Sequence, residues 1–104
     1  MTHFGLSNIT IHKIQSVFEN HTEIDSVIIY GSRAKGNYRV GSDIDLTLLG
    51  DKLNNTILTK IEQEIDELNT PYLFDISIFD SLKSPDLEAH INRIGQIFYK
   101  KNEQ

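Results

Sequence analysis

Two short apolar runs frame the central part of the sequence and limit the folds that this chain can adopt. The run from Ser26 to Tyr30 is β-branched and ends at Gly31, which is typical of a strand buried on both faces. The segment from Asp43 to Leu49 begins with alternating polar and apolar side chains and predicts a second strand. Between them, Gly31 to Ser42 is rich in glycine, polar and basic residues, so it predicts a turn, a short helix and a loop.

Amphipathic helices flank these two strands. Apolar residues at helical spacing predict a first helix over about 10–20, with Thr10 as its N-cap, and a second helix over about 55–69. Ser84-Pro85 is a favourable N-cap and first-turn pair for a last helix, which runs to about residue 94 and ends at Gly95. Each helix has an apolar face that can pack on a sheet.

Two further strands complete the predicted sheet. From Leu73 to Phe79 the side chains alternate, with three apolar residues on one face and Asp75 and Ser77 on the other. Gln96 to Tyr99 predicts a short edge strand, although its apolar side chains also suit part of a partner interface. The order of these elements predicts an α+β fold in which helices pack on a small mixed sheet.

Size and charge exclude several classes of protein. A chain of 104 residues has room for one domain, predicted over residues 1–104, and its lack of cysteine excludes disulfides, thiolate metal sites and cysteine nucleophiles. The longest apolar runs are far shorter than the roughly 20 residues of a membrane span, so no membrane association is expected. Without a signal-peptide pattern, a cytoplasmic protein is expected. Because 15 acidic residues outnumber 10 basic ones, direct nucleic-acid binding is not expected.

The turn at Gly31-Ser32 has the features of an anion site. A buried strand that runs into this turn and then into a helix start leaves backbone N–H groups unpaired. Two known phosphate loops do not fit, because Asn37-Tyr38 replace the Lys and Ser/Thr of a P-loop and Arg33 replaces the second glycine of the dinucleotide fingerprint. Taken alone, the turn is better explained by a glycine that serves chain geometry only.

Three aspartates point to a second component of a site. Asp43 and Asp45 are two residues apart on a strand, so their carboxylates project from one face about 6.6 Å apart. Neighbouring carboxylates raise each other's proton affinity unless a cation such as Mg²⁺ lies between them. Asp75 interrupts an apolar strand, and pairing of that strand beside the one that carries Asp43 would bring all three acids together. Such a trio could hold two metal ions about 3.5–4 Å apart, as in phosphoryl transfer.

Several of these residues also have a purely structural explanation. An Asp-x-Asp pair on a solvated edge strand discourages association between sheets, which is the better explanation for a lone pair. Asp80 competes with Asp75 as the third acid, but its place at the strand end favours a turn. The four histidines lack metal-ligand spacing and are expected to be scattered over the solvent-facing surface. Tyr38 either stacks on a base or packs under the loop, and Arg39 either meets a triphosphate or only keeps the loop soluble.

Together these features resemble a known motif: Gly31-Ser32, ten intervening residues, Asp43-Ile44-Asp45, and a later Asp75 on a strand. This is the pattern of the minimal nucleotidyltransferases (MNT proteins) of the DNA polymerase beta superfamily. The resemblance extends over nearly the whole chain, because the order of helices and strands matches as well. It implies a fold similar to the polymerase palm and the Mg²⁺-dependent transfer of a nucleoside monophosphate, usually AMP from ATP, to an acceptor.

The resemblance also implies a role for each site residue. The nucleotide-binding positions would be Gly31 and Ser32, on the β- and γ-phosphates, with Arg33, Lys35 and Ser42. Asp43 and Asp45 would ligate two Mg²⁺ ions, while Asp75 would ligate the catalytic ion and help to deprotonate the acceptor hydroxyl. Lys35 stands where arginine is more common, so a two-point phosphate contact becomes a single-point contact.

A partner protein follows from the same resemblance. Bacterial and archaeal MNT proteins are commonly encoded beside a HEPN-domain toxin and act as its antitoxin, and some adenylylate a tyrosine of the HEPN ribonuclease. The resemblance therefore implies a hetero-oligomer with a HEPN toxin. Two other functions stay open: an antitoxin that acts by binding and occlusion without catalysis, and the catalytic subunit of a two-component small-molecule nucleotidyltransferase. A chain this small leaves little room for an acceptor pocket, so a partner is expected to complete the site.

Overall fold

The computed structural model of the protein describes residues 2–102. Within that range the strands are β1 (Thr2–His3), β2 (Leu6–Ser7), β3 (Ser26–Tyr30), β4 (Ile44–Leu49), β5 (Phe74–Ile78) and β6 (Gln96–Lys100). The helices are α1 (Asn8–Glu19), α2 (Gly31–Lys35), α3 (Asn55–Asp66) and α4 (Pro85–Ile94), with a 3₁₀ turn at Phe79–Ser81. From α1 onward, this is the predicted order of elements.

The main sheet has four strands in the spatial order β5–β4–β3–β6. Strand β3 runs antiparallel to both of its neighbours, whereas β4 and β5 are parallel. A parallel pair needs a crossover connection, and α3 lies in the segment that supplies it. The predicted α+β fold with a small mixed sheet is confirmed, and β6 is the predicted edge strand.

The two faces of this sheet have different surroundings. On one face, alternate side chains of β3, β4 and β5 join α1 and α3 in a buried apolar cluster that includes Ile14, Phe18, Val27, Ile29, Ile44, Leu46, Leu48, Ile61, Ile65 and Ile76. Burying each such side chain contributes about 1.5–3 kcal/mol before entropy is counted. The opposite face carries the polar side chains of β4 and β5, and α4 packs over part of it against β3 and α2. The apolar cluster therefore fixes which face is left for chemistry.

Two helix boundaries differ from the predicted ones. Helix α1 begins at Asn8, because the Ser7 hydroxyl accepts the Thr10 backbone N–H at 3.2 Å and is the N-cap in place of Thr10. Helix α3 ends at Asp66 instead of near residue 69, and Asn69 has a left-handed φ of 54° that cannot continue a helix. The predicted N-cap Ser84 and first-turn proline of α4 are confirmed. No helix within residues 2–102 combines the length and the apolar character needed to cross a lipid bilayer.

The strand predictions need two corrections. Strand β4 starts at Ile44, so Asp43 lies just before the strand and not in it. At the amino terminus the sequence analysis missed a hairpin in which β1 pairs antiparallel with β2. Its turn, Phe4-Gly5, has positive φ values of 59° and 74°. Two-residue strands carry no readable alternation, so only Gly5 could have indicated a turn.

Candidate active site

The parallel pairing of β4 and β5 brings two of the predicted acids side by side. Asp45 is in register with Asp75, and neighbouring strands lie about 4.8 Å apart. Asp43 precedes Asp45 by two residues and lies immediately before β4 begins at Ile44. Asp45 is half-buried, whereas Asp43 and Asp75 are exposed. The predicted pairing of the two aspartate-bearing strands is therefore present, and it places the acids on the face opposite the apolar cluster.

The neighbouring acids also affect the ionisation of the Asp45 carboxyl. Burial raises the pKa of the Asp45 carboxyl above its ordinary value, and the negative charges of Asp75 and then Asp43 raise it further. The imidazole of His90 acts in the opposite direction. In the described part of the chain no salt bridge engages any of the three aspartates. The result is a concentrated negative potential that favours a cation.

The donor set fits a hard divalent ion, although the side chains do not enclose one. Within residues 2–102, no three histidine, aspartate or glutamate side chains are grouped closely enough to hold a metal as they lie. Two of the three aspartates are exposed, however, so their rotamers can change without disturbing the core. Their backbones are already neighbours, and carboxylate oxygens are the ligands that Mg²⁺ prefers. The two predicted Mg²⁺ ions stay a prediction.

The glycine of the predicted anion site lies directly against Asp45. Tyr30, the last residue of β3, is the register partner of Asp45, and Gly31 follows it with a φ of 74°. A Cβ atom added to Gly31 would overlap the Oδ2 atom of Asp45. Only glycine combines this left-handed backbone with such a close approach. The two halves of the sequence motif, ten residues apart along the chain, are therefore in contact.

The remaining predicted nucleotide-binding residues lie in different surroundings. Ser32 is half-buried in the first turn of α2, and Lys35 is exposed at the end of that helix. Ser42 closes a turn, since its hydroxyl accepts the Arg39 backbone N–H at 2.8 Å. The hydroxyl of Ser42 is thus engaged within the loop, while Ser32 stands next to the glycine that contacts Asp45.

Arg33 differs most from its predicted role. Its side chain is buried, at 3% exposure, and its N–H groups donate to the main-chain carbonyls of Phe4 and Ser42. The guanidinium lies 5.3 Å from the ring centre of Tyr38 and 5.0 Å from that of Tyr72. The predicted phosphate contact of Arg33 gains no support from this geometry. The Tyr38 side chain is 37% exposed beside this guanidinium, and its stacking on a base stays a prediction.

Two residues beside the acids were missed by the sequence analysis. Tyr30 is buried, which raises the pKa of its hydroxyl, and the charge of Asp75 raises it further. His90 packs edge-on against the Tyr30 ring, with centroids 6.2 Å apart. The expectation that all histidines are scattered on the surface is therefore wrong for His90, and also for His21, which bonds Glu64 at 2.7 Å. A usable signal existed, because residue 90 shares a helix face with the apolar residues 87 and 94.

Asp43 and Asp75 are exposed, so the acidic face is open to solvent at these two residues. A groove of about 210 Å³ lies between α3 and β5, where Ile65, Tyr72 and Phe74 are among its lining residues. None of the three aspartates lines it. Asp80, the competing third acid, is exposed in the 3₁₀ turn after β5, as its place at the strand end predicted. An open acidic face beside a glycine turn leaves space for a large acceptor.

Comparison with known proteins identifies the family. The sequence profile of the family "Polymerase beta, Nucleotidyltransferase" matches residues 12–104. Because this match covers most of the chain, the protein belongs to that family. No curated protein sequence matches the chain.

Solved structures with the same fold include several toxin–antitoxin complexes. One, described as a toxin–antitoxin with AMP-PNP, is similar with a TM-score of 0.70 and 21% identity over 92% of this chain and 75% of the other. The complex of a tri-AMPylated Shewanella oneidensis HEPN toxin with its MNT antitoxin gives a TM-score of 0.64 and 18% identity, over 89% and 71%. The MntA–HepT toxin–antitoxin gives 0.66 and 16%, over 91% and 74%. At these identities the likeness shows the fold.

Proposed function

We propose that this protein is a Mg²⁺-dependent nucleotidyltransferase that transfers AMP from ATP to a hydroxyl group of a HEPN-domain toxin and thereby acts as its antitoxin. The observation that carries the proposal is the contact of Gly31 with Asp45, which is itself in register with Asp75. Family membership supports the reaction class, and the AMPylated toxin beside a similar antitoxin fold supports the acceptor. Residues 1–104 would form a single nucleotidyltransferase domain within a hetero-oligomer.

The three aspartates would hold the metal. Asp43 and Asp45 would ligate two Mg²⁺ ions and Asp75 one of them. Bound there, Mg²⁺ supplies charge neutralisation for the triphosphate and the leaving pyrophosphate. The raised pKa of Asp45 supports this role, because a carboxylate held among other negative charges is stabilised when a cation approaches.

The turn and the third acid would supply positioning and proton transfer. Backbone N–H groups at Gly31 and Ser32 would donate to the β- and γ-phosphate oxygens, and the exposed Lys35 would add a single positive charge near them. The acceptor oxygen would form a bond to the α-phosphorus as the bond from that phosphorus to the β-phosphate oxygen breaks. The carboxylate of Asp75 would take the acceptor's proton, and pyrophosphate would leave.

The open face favours a macromolecular acceptor over a small one. Two of the three acids are exposed, and the groove between α3 and β5 lies apart from them. A small acceptor would need a concave site with several placed polar groups. A tyrosine on a partner protein can instead be delivered by the partner's own surface. We therefore propose a tyrosine of the HEPN toxin as the acceptor.

The test uses the proposed HEPN-domain partner, with ATP labelled at the α-phosphate and Mg²⁺. Label should appear on the toxin with the wild-type protein and with Glu62→Gln, an exposed acid on α3, but not with Asp45→Asn. Loss of toxin neutralisation should accompany the loss of label. Neutralisation that persists in Asp45→Asn would contradict the proposal and favour occlusion. Label on an added small hydroxyl compound, but not on the toxin, would favour the two-component small-molecule enzyme.

A further inference from the structure

Arg33 is a buried charge with no acidic partner. Its side chain is 3% exposed, and among residues 2–102 no carboxylate forms a salt bridge with it. A charge removed from water is costly unless hydrogen bonds compensate for the lost hydration. The hydrogen bonds of the buried guanidinium must therefore compensate for the hydration that it loses.

The guanidinium is satisfied by main-chain carbonyls and by aromatic faces. Nη1 donates to the Phe4 carbonyl at 2.8 Å, while Nε and Nη2 both donate to the Ser42 carbonyl, at 3.1 and 2.8 Å. Hydrogen bonds from a charged donor are roughly twice as strong as neutral ones. The rings of Tyr38 and Tyr72 lie within cation–π distance of the guanidinium carbon. The planar fork of arginine suits this arrangement, and the point charge of lysine does not.

The residues that Arg33 joins stand at both ends of one connection. Arg33 directly follows Ser32 of the glycine turn, and Ser42 directly precedes Asp43. Between them, residues 35–41 are exposed, so this segment buries little that would fix its path. The bond to Phe4 adds the turn of the amino-terminal hairpin, 29 residues away along the chain. The guanidinium thus links the two ends of the segment between the Gly31-Ser32 turn and Asp43.

We propose that Arg33 is a positioning residue that sets the placement of the Gly31-Ser32 turn relative to Asp43, with the amino-terminal hairpin as its support. It acts through the backbone of Ser42 and touches neither nucleotide nor metal. The catalytic effect of this role rests on the proposed function, but the tethering of the loop can be measured without any transfer reaction. It also replaces the direct phosphate contact that the sequence predicted for Arg33.

Gly5 offers an independent way to disturb the same contact from outside the site. A Cβ atom added to Gly5 would lie 2.5 Å from Cε2 of Tyr38 and 2.9 Å from Nη1 of Arg33. Gly5→Ala should therefore push the guanidinium out of place while every residue of the connection stays unchanged. For the transfer assay, Gly36→Ala is the matched control for backbone strain, because Gly36 has a similar φ of 87° and its added Cβ would meet nothing within 4 Å.

The experiment compares Arg33→Lys and Gly5→Ala with Arg93→Lys, a control at an exposed arginine of α4, and in the transfer assay also with Gly36→Ala. Hydrogen exchange of residues 36–42 is measured first, in the complete chain without nucleotide. Both test variants should exchange faster in this segment, while the rest of the sheet keeps its protection. In the transfer assay, kcat should fall by roughly a hundredfold, the cost of misplacing a reacting group by about 1 Å, with KM for ATP little changed. Arg93→Lys should match the wild type in both measurements, and Gly36→Ala should keep a kcat near that of the wild type.

Other results would overturn either the positioning role or the proposed function. Wild-type exchange in residues 36–42 of both test variants would overturn the positioning role. A raised KM for ATP with unchanged exchange in Arg33→Lys would restore the direct phosphate contact. If Arg33→Lys does not fold, Gly5→Ala alone carries the comparison. If the wild-type protein transfers no AMP, the proposed function fails, but faster exchange in the test variants still supports the tether.

Discussion

The contact between Gly31 and Asp45 makes a sharp prediction for the substitution Gly31→Ala. Two penalties would apply at this position. The backbone has a φ of 74°, in the left-handed region, and the new Cβ would overlap Oδ2 of Asp45 and lie 3.3 Å from its Cγ. The backbone penalty lowers the stability of the fold, whereas the overlap displaces the Asp45 carboxylate that the proposed reaction needs.

The sizes of these two penalties can be separated. A left-handed conformation costs a residue with a Cβ about 1–2 kcal/mol. The overlap involves the end of a half-buried side chain, which can rotate away with little effect on the core. Rotation moves the Asp45 carboxylate by about 1 Å or more, which lowers a transfer rate by roughly a hundredfold. Gly31→Ala should therefore lose modest stability and most of its activity.

Gly36→Ala is the control for this prediction. Its φ of 87° carries the same backbone penalty, but nothing lies within 4 Å of the added atom. Urea denaturation should give both variants a similar loss of about 1–2 kcal/mol, and the AMP-transfer assay should separate them by the hundredfold factor expected for a misplaced carboxylate. Equal transfer rates in the two variants would refute the argument that the turn and the carboxylate form one site.

Four further substitutions test other parts of the structure. In the wild type the fold raises the pKa of the Asp45 carboxyl, so its ionised form lowers the stability of the protein near neutral pH. Asp45→Asn removes this cost. The variant should therefore unfold at higher urea than wild type near neutral pH, with the difference shrinking as the pH falls toward the ordinary Asp value of 3.8; an unchanged or lower midpoint at neutral pH would contradict the raised pKa. Ser7→Ala should cost about 1 kcal/mol by circular-dichroism melting and Thr10→Ala less, the reverse of what the sequence suggested. Phe18→Ala, at a fully buried ring that faces Phe98, should cost about 3–5 kcal/mol, and a loss below that range would mean that the cluster repacks.

The features that the sequence predicted correctly are those that depend on neighbours along the chain. Strand β3, the capped start of α4 and the alternation of β5 follow from short-range patterns of side chains. The pairing of the strands that carry Asp45 and Asp75 was also anticipated, because the two acids share a polar face and suit one ligand. The start of α1 was missed because Ser7 and Thr10 are both good N-cap residues, and only the path of the chain decides between them.

The surroundings of Arg33 could not be predicted for a different reason. A cation next to a glycine–serine turn suggests a phosphate contact when nothing else is known. Its partner Phe4 lies in a hairpin of two-residue strands that no periodicity reveals, and Tyr72 lies far along the chain in the connection before β5. Long-range contacts of this kind depend on the completed fold. The same limit applies to His90, whose neighbour Tyr30 is on a different element.

The parallel register of β4 and β5 ties catalysis to the hydrophobic core. Successive residues of a strand point to opposite sides, so a slip of β5 by one position would carry Asp75 into the apolar layer and leave Ile76 facing solvent. Ile76 is held beside Leu46 under α3, and that packing prevents the slip. Variants that loosen this layer should thus lose transfer activity before they lose their helices, even though none of the altered atoms lies near the phosphates.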